Sequence, residues 1–213
     1  MINIVMPVKD EATGFEVMKH ELASRIQLRE YCLVAVHDDE DPGPYRPYDV
    51  KNTGTGVLGA LKTGLAIPSE ATIVMMADCS DDVLQIDQMV TAFRAGADVV
   101  SASRYMPGGE QRGGPVIKSL LSRLAGLSLH ALGFPTSDPT NNFKLYSRRL
   151  LDAVTIESVG GFELALELTS KAHKLGMKVV EVPTVWRDRV VGRSKFKLLK
   201  WLPHYLRWYW HAL

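Results

Sequence analysis

Four apolar runs of this 213-residue chain each end in residues that could bind or move charge. Pro7 to Glu11 close the first, Asp38 and Asp39 follow the second, Asp78, Asp81 and Asp82 follow the third, and Arg104 follows the fourth. Carboxylates so placed suit a hard divalent cation that in turn takes phosphate oxygens. An arginine suits the phosphate itself, through its planar fork of donors. Each residue also has a plainer reading. Asp81 or Asp82 caps the helix that follows, the 38–41 turn is solvated acid, and Arg104 faces water. Asp78 falls too early in the chain to be a cap, at the end of its run.

Farther along, Lys118 and Ser122 are spaced i, i+4 and share one helix face, while Leu120, Leu121, Leu124 and Leu127 supply apolar surface elsewhere. With Arg104 they could converge on a single phosphate. Glu163 and Glu167 are also spaced i, i+4, and Glu163 suits the first turn of a helix. Asp138 stands in Asp138-Pro139-Thr140-Asn141-Asn142-Phe143, either forming a turn or taking part in chemistry. The six histidines have no metal-ligand spacing, and none is assigned a role.

The elements that must position these groups are legible as a pattern. Short apolar, β-branched runs at 2–6, 31–36, 72–76, 98–102 and 178–182 have the continuity of strands buried on both faces. Helical patterns alternate with them at 11–24, 56–66, 83–95, 116–132 and 162–175. The alternation predicts an α/β fold: a mostly parallel sheet with helices on both faces. In open sheets of this kind ligands bind beyond the carboxyl ends of the strands, which is where the acids and Arg104 gather.

Composition sets the outer bounds. At 46% hydrophobic and 23% charged residues the chain is neither disordered, collagenous nor a coiled coil. Net charge is +1, so it is not a polycation made for nucleic acid. From Trp186 onward, however, seven basic residues face the single acid Asp188, and that segment carries +6 while the rest carries −5. This asymmetry predicts an anionic partner near the C-terminus. Two cysteines make no disulfide scaffold; Cys32 lies in a strand-like run and is expected as a reduced, cytosolic thiol. The chain opens directly on a strand-like run, so no signal peptide is expected, and no window of ~18 apolar residues occurs to span a bilayer. Residues 195–213 hold three of the four tryptophans, Trp201, Trp208 and Trp210, beside several lysines. Basic and aromatic residues together suit the lipid headgroup boundary; the other reading is a helix packed on the core. Pro203 is expected to break the segment into two short helices.

The order of these motifs resembles glycosyltransferase family 2, especially the dolichol-phosphate mannosyltransferases and related polyprenyl-phosphate glycosyltransferases. The resemblance rests on Met6-Pro7-Val8-Lys9-Asp10-Glu11, Asp38-Asp39, Asn52-Thr53-Gly54-Thr55-Gly56 running on to Ala60 and Gly64, Asp78 at a strand end, Ser103-Arg104-Tyr105, and Asp138-Pro139-Thr140. It closes with Glu181-Val182-Pro183 and Asp188-Arg189-Val190-Val191-Gly192-Arg193-Ser194-Lys195. Each motif is weak alone; eight in order over ~190 residues are specific. The chain departs from the family at Met76, where the first acid of an Asp-x-Asp would stand, at Ser80, at Ala165, and in the short stretch between Asp39 and Asn52.

The resemblance implies a nucleotide-diphospho-sugar transferase (GT-A, Rossmann-like) catalytic domain over 1–194 and an interfacial tail over 195–213. It implies inverting transfer of a hexose from a nucleotide-diphosphate sugar to a polyprenyl phosphate, on the cytosolic face of a membrane. Pro7, Glu11, Asp38, Asp39, Asn52, Gly54, Gly56 and Asp78 would bind the nucleotide sugar. Asp78, with Asp81 or Asp82, would hold Mg2+ or Mn2+. Arg104, Lys118 and Ser122 would bind the acceptor phosphate, and Asp78, Asp138, Arg189 and Lys195 would serve catalysis. Two other functions stay open: transfer to a saccharide or other hydroxyl, with Asp138 or Glu167 as base, and a non-catalytic module that binds sugar nucleotide or lipid phosphate.

Overall fold

The computed structural model describes residues 1–40, 43–188 and 198–213. In chain order the elements are β1 (Ile2–Val8), α1 (Ala12–Arg25), β2 (Tyr31–His37), β3 (Asp49–Lys51), α2 (Gly56–Ala66), β4 (Ala71–Val74), α3 (Ile86–Arg94) and β5 (Val99–Ser103). They continue with β6 (Glu110–Arg112), α4 (Val116–Ala131), β7 (Lys144–Ser147), α5 (Arg148–Ala153), α6 (Leu164–Lys174), β8 (Val179–Pro183), β9 (Val185–Arg187) and α7 (Leu198–Ala212).

All seven residues of β1 are buried, as its unbroken apolar composition requires of a central strand. The main sheet runs β3-β2-β1-β4-β7-β5-β8, and every strand in it is parallel to its neighbours except β7, which is antiparallel to both β4 and β5. Strands β6 and β9 form a separate two-stranded parallel ribbon. Phe15, Met18 and Leu22 of α1 and Ile86, Met89 and Val90 of α3 cover one face of the sheet, against Ile4, Met6, Ile73 and Met75. Leu61 and Leu65 of α2 and Leu164 and Leu168 of α6 cover the other, against Val74 and Val99. Each such side chain contributes ~1.5–3 kcal/mol by leaving water.

Several expectations need correction. The helix expected over 83–95 opens as a 3-10 turn, Val83–Gln85, before α3 begins. Cys32 lies in β2 but is exposed. Pro203 does not divide the tail, because α7 runs through it unbroken. One backbone hydrogen bond is forgone there, and packing offsets the loss. Trp208 and Ala212 are buried with Leu129, Phe134 and Leu166, and Tyr205 donates its hydroxyl to the Phe162 carbonyl at 2.5 Å. The inner face of the tail is therefore core packing. Its outer face is not: Trp210 is 68% exposed, and Leu202 and Leu206 also reach solvent.

Candidate active site

The turn after β4 is shaped by its acids. Asp82 caps the 3-10 turn, its Oδ1 accepting from the Leu84 amide at 3.2 Å. Asp81 instead folds back, and its Oδ2 accepts from the Met76 amide at 2.9 Å. Asp78 Oδ1 accepts from the Ser80 amide at 3.1 Å. Between them Cys79 adopts φ 62°, a left-handed conformation that a non-glycine residue holds only where its surroundings enforce it. Gly14 on α1 permits the close approach behind this turn, since a Cβ there would lie 2.0 Å from the Ala77 carbonyl oxygen. Burial, reinforced by the charge of Asp78, pushes the Asp81 carboxyl up to about 7, although the Met76 amide favours its ionised form. Of the two acids left open by the sequence, Asp81 is thus the one turned inward with Asp78, and Asp82 is the cap.

A second cluster lies near these acids, with Arg104 close enough to Asp81 for their charges to interact. Arg104, one residue past β5, gives its Nε to Asp138 Oδ2 at 2.7 Å and its Nη2 to Oδ1 at 2.8 Å. The Arg104 backbone amide adds a third bond to Asp138 Oδ2, at 3.0 Å. Arg104 Nη2 also reaches Ser122 Oγ at 3.2 Å and Thr140 Oγ1 at 3.3 Å. Ser122 Oγ lies 2.6 Å from Thr140 Oγ1 and accepts from the Tyr105 hydroxyl at 3.0 Å. Helix α4 carries Ser122 close to the 136–142 loop because Gly126 lets it: a Cβ there would sit 2.1 Å from the Ser137 carbonyl oxygen.

Asp138 is fully buried. Burial alone would push its carboxyl up, but the Arg104 guanidinium outweighs that and holds it below the ordinary carboxylate range. Asp138, expected to serve catalysis, stands here as the buried partner of Arg104 and is not among the residues that line the cavity described below. Glu167 is equally enclosed, accepting from the Glu157 and Ser158 amides at 2.6 and 2.7 Å and from Lys171 Nζ at 2.8 Å. Both carboxylates are taken up by protein donors. Glu163 is also buried, and its Oε1 accepts from the Val159 and Gly160 amides at 3.1 and 2.8 Å.

Both clusters line one cavity of about 300 Å3, to which Asp78, Ser80 and Asp81 contribute together with Arg104, Lys118, Ser122 and Thr140. Leu121, Ala125, Phe162, Leu202 and Tyr205 supply apolar wall, and Trp186 and Asp188 close it from the β9 side. The tail thus contributes directly to the cavity, through Leu202 and Tyr205. Tyr105, Thr140 and these tail residues were not singled out from the sequence. Tyr105 and Thr140 lay inside recognisable motifs and carried a signal; Leu202 and Tyr205, beyond the last of those motifs, carried none.

Pro7, Glu11, Asp38, Asp39, Asn52, Gly54 and Gly56 do not line this cavity. They gather instead at the carboxyl ends of β1 and β2, with Asp38 and Asp39 exposed. Asn52 is turned inward as a scaffold. Its Nδ2 donates to Asp38 Oδ1 at 2.6 Å and to the Gly56 carbonyl at 3.2 Å, and its Oδ1 accepts from the Gly54 amide at 2.9 Å. Gly56 takes φ 60°, which a side chain would disfavour. Arg189 and Lys195 lie outside the described residues. Among the described residues, no group of three or more His, Cys, Asp or Glu could hold a metal ion by itself.

No protein-family model matches the chain. In sequence it is similar to the polyprenol monophosphomannose synthase of Mycolicibacterium smegmatis, at 31% identity over 161 residues, covering 70% of this chain and 61% of that protein. It is similar to the dolichol-phosphate mannosyltransferase of Pyrococcus furiosus at 25% over 225 residues, covering 97% and 63%. The undecaprenyl-phosphate mannosyltransferase of Micrococcus luteus matches at 27% over 161 residues, covering 73% and 66%. The chain therefore spans a little under two thirds of the length of these curated relatives. In structure it resembles glucosyl-3-phosphoglycerate synthase from Mycobacterium tuberculosis. The complex with UDP superposes at TM-score 0.72 with 16% identity, covering 100% of this chain and 79% of that one. The complex with Mn2+ and UDP-glucose gives 0.71 and 18%, covering 97% and 77%. At that identity the likeness establishes the fold, that of the GT-A nucleotide-sugar transferases.

Proposed function

We propose that this homologue of the polyprenyl-phosphate mannosyltransferases, built on the nucleotide-sugar transferase fold, moves a hexose from a nucleotide-diphosphate sugar to a polyprenyl phosphate. The observation that carries the reading is one cavity lined both by the carboxylates Asp78 and Asp81 and by Arg104, Lys118 and Ser122. The diphosphate end of the donor belongs at the carboxylates and the acceptor phosphate at Arg104, Lys118 and Ser122. Pro7, Glu11, Asp38 and Asp39 form the donor's nucleoside edge, shaped by Asn52, Gly54 and Gly56.

A phosphate acceptor already bears its nucleophilic oxygen, so alignment and charge stabilisation suffice. The engagement of Asp138 and Glu167 supports this reading, since a hydroxyl acceptor would call for a general base. Attack on the anomeric carbon from the acceptor wall, opposite the departing diphosphate, inverts the centre without a covalent enzyme intermediate. Mg2+ is commonly held by one or two carboxylates plus substrate phosphates, and Asp78 with Asp81 fits that donor set. A buried carboxyl raised to about 7 beside a second acid is what a cation would relieve. Mg2+ or Mn2+ there would offset charge on the leaving diphosphate. We assign Arg189 and Lys195 to the same leaving group.

The acceptor implies a lipid surface. Helices α4 and α7 contain no acidic residue, yet both carry cations, Lys118 and Arg123 on α4 and Arg207 on α7. Val116, Ile117, Leu120 and Leu124 leave one face of α4 bare, Val116 to 79%. Such faces suit an anionic bilayer surface, and among the described residues no helix is long and apolar enough to cross one. In this reading residues 1–194 form the catalytic domain, and 195–213 complete its cavity and extend its lipid-facing side, peripheral on the cytosolic face.

The test is a screen of radiolabelled nucleotide sugars with a short polyprenyl phosphate and Mn2+ or Mg2+, extracted into organic solvent. Label entering the solvent with one donor is the expected result. Label transferred only to saccharide hydroxyls would replace the lipid acceptor, and nucleotide binding without any product would leave a binding module.

A further inference from the structure

Lys144 is the first residue of β7, and nothing in its place in the sequence marks it for function. Its side chain is fully buried, a state that lysine almost never adopts without partners. The ammonium donates to Ser101 Oγ at 2.6 Å and to the Asp138 backbone carbonyl at 2.9 Å. Around it stands a closed polar network. Ser101 Oγ also donates to the Asp138 carbonyl at 3.2 Å, Thr136 Oγ1 donates to Glu181 Oε2 at 3.2 Å, and Ser137 Oγ donates to the same oxygen at 2.8 Å. The charged groups facing Lys144 are Asp138 from the loop, Arg104 from the end of β5 and Glu181 from β8. Replacing buried charges with apolar groups is commonly neutral or stabilising, so stability alone does not account for this arrangement.

We propose that Lys144 is a positioning residue for the acceptor-phosphate site: by clamping the Asp138 main chain to β5, it fixes the carboxylate that in turn holds Arg104 at the cavity. The inference rests on the acceptor reading given above. The chain of contacts is continuous. Lys144 grips the Asp138 carbonyl, the Asp138 side chain holds Nε and Nη2 of Arg104, and Arg104 with Ser122 forms the cavity wall. Lys144 itself does not line that cavity. Its effect therefore falls on the acceptor and spares the donor. It is also sensitive to proton loss, since burial lowers the ammonium to about 8 even though Asp138 favours the charged form.

The experiment measures binding by calorimetry on the whole chain, with farnesyl phosphate as acceptor probe and a Mn2+–nucleoside diphosphate as donor probe. Lys144→Met should weaken farnesyl phosphate roughly tenfold and leave the nucleotide within twofold. Lys144→Gln, which keeps a donor to the carbonyl, should recover most of the loss. In the wild type, farnesyl phosphate binding should weaken from pH 7.5 to pH 9.5 as Lys144 deprotonates, and the Gln variant should be flat over that range. Equal loss of both probes in Lys144→Met, or unchanged binding of both, overturns the proposal while leaving the acceptor reading standing. If Lys144→Met does not fold, a wild-type series as flat as that of the Gln variant overturns it. Wild type that binds no farnesyl phosphate at any pH overturns the acceptor reading, and this inference with it.

Discussion

Replacing Asp138 by Asn separates a holding role from a catalytic one. The carboxylate takes three hydrogen bonds from Arg104, at 2.7, 2.8 and 3.0 Å, and neither side chain is well exposed, at 0% for Asp138 and 11% for Arg104. Asparagine keeps one oxygen but turns an amide N–H2 toward the guanidinium and leaves a buried cation without its counter-charge. Breaking a buried pair from one side costs about 3–5 kcal/mol. For a domain of this length each kcal/mol moves the melting temperature by roughly 2–4 °C, so Asp138→Asn should melt about 6–20 °C lower. Arg104→Met in the Asn background should recover a good part of that loss, because the orphaned charge is gone; the coupling is read from the double-mutant cycle. Transfer by the single variant should fall mainly through a raised acceptor KM. The measurements are thermal unfolding by circular dichroism and steady-state kinetics with each substrate varied in turn. An unchanged melting temperature with kcat reduced by orders of magnitude would refute the reasoning, because Asp138 would then be acting on the reacting atoms.

Lys118→Ala should raise the acceptor KM roughly tenfold or more with little change in Tm, since a charge-assisted bond to phosphate contributes about 1.5–3 kcal/mol; loss toward the donor instead would relocate Lys118. Asp81 carries a pH signature. Its folded carboxyl is raised from 3.8 to about 7, so the stability it contributes is complete below about pH 4 and is lost as pH rises toward 7. Melts from pH 4 to 8 without divalent ions should show Asp81→Asn gaining on wild type across that window; parallel curves would show that Asp81 is not the buried titrating group. Adding Mn2+ at pH 7.5 should then stabilise wild type and not Asp81→Asn or Asp78→Asn. Trp208→Ala should cost about 3–5 kcal/mol as a core truncation. Trp210→Ala should leave Tm nearly unchanged and reduce partitioning onto anionic vesicles in a flotation assay, and the reverse pattern would exchange the two faces of α7.

What the sequence made legible depended on the range of the interaction. Strands such as β1 announce themselves because burial on both faces demands an unbroken apolar run, and α2 was bounded correctly at 56–66. The acids and Arg104 were legible for the same reason: they follow strands, and strand ends in such sheets define a ligand edge. Strand β7 was missed because Lys144-Leu145-Tyr146-Ser147 is short and half polar, and its lysine is buried only through partners supplied by distant segments. The setting of Asp138 was hidden likewise. Nothing local reveals that its partner is Arg104, 34 residues earlier, and an acid in a turn looks the same whether it faces solvent or an arginine. The three-residue strands β3, β6 and β9 carry no periodicity to detect. The docking of α7 was equally silent, because one aromatic helix face resembles another until Leu129 and Phe134 are seen beneath it.

The reversed strand β7 also governs how this molecule can be assembled. Because β4 and β5 each pair with β7 and not with each other, the first 100 residues emerging from a ribosome leave β4 with an open edge that nothing yet synthesised can cover. Unpaired edges of this kind invite association with other chains, and pairings that must wait for distant sequence slow folding. The turns at the carboxyl ends of β1 and β2 can form early, whereas the Arg104–Asp138 cluster cannot be completed until the segment leading into β7 is made and β7 slots between the two waiting strands. A break in the polypeptide between β5 and β7 should thus yield an N-terminal fragment that is insoluble alone and recovered by co-expression with its C-terminal complement, with the inserted strand acting as the closing plank.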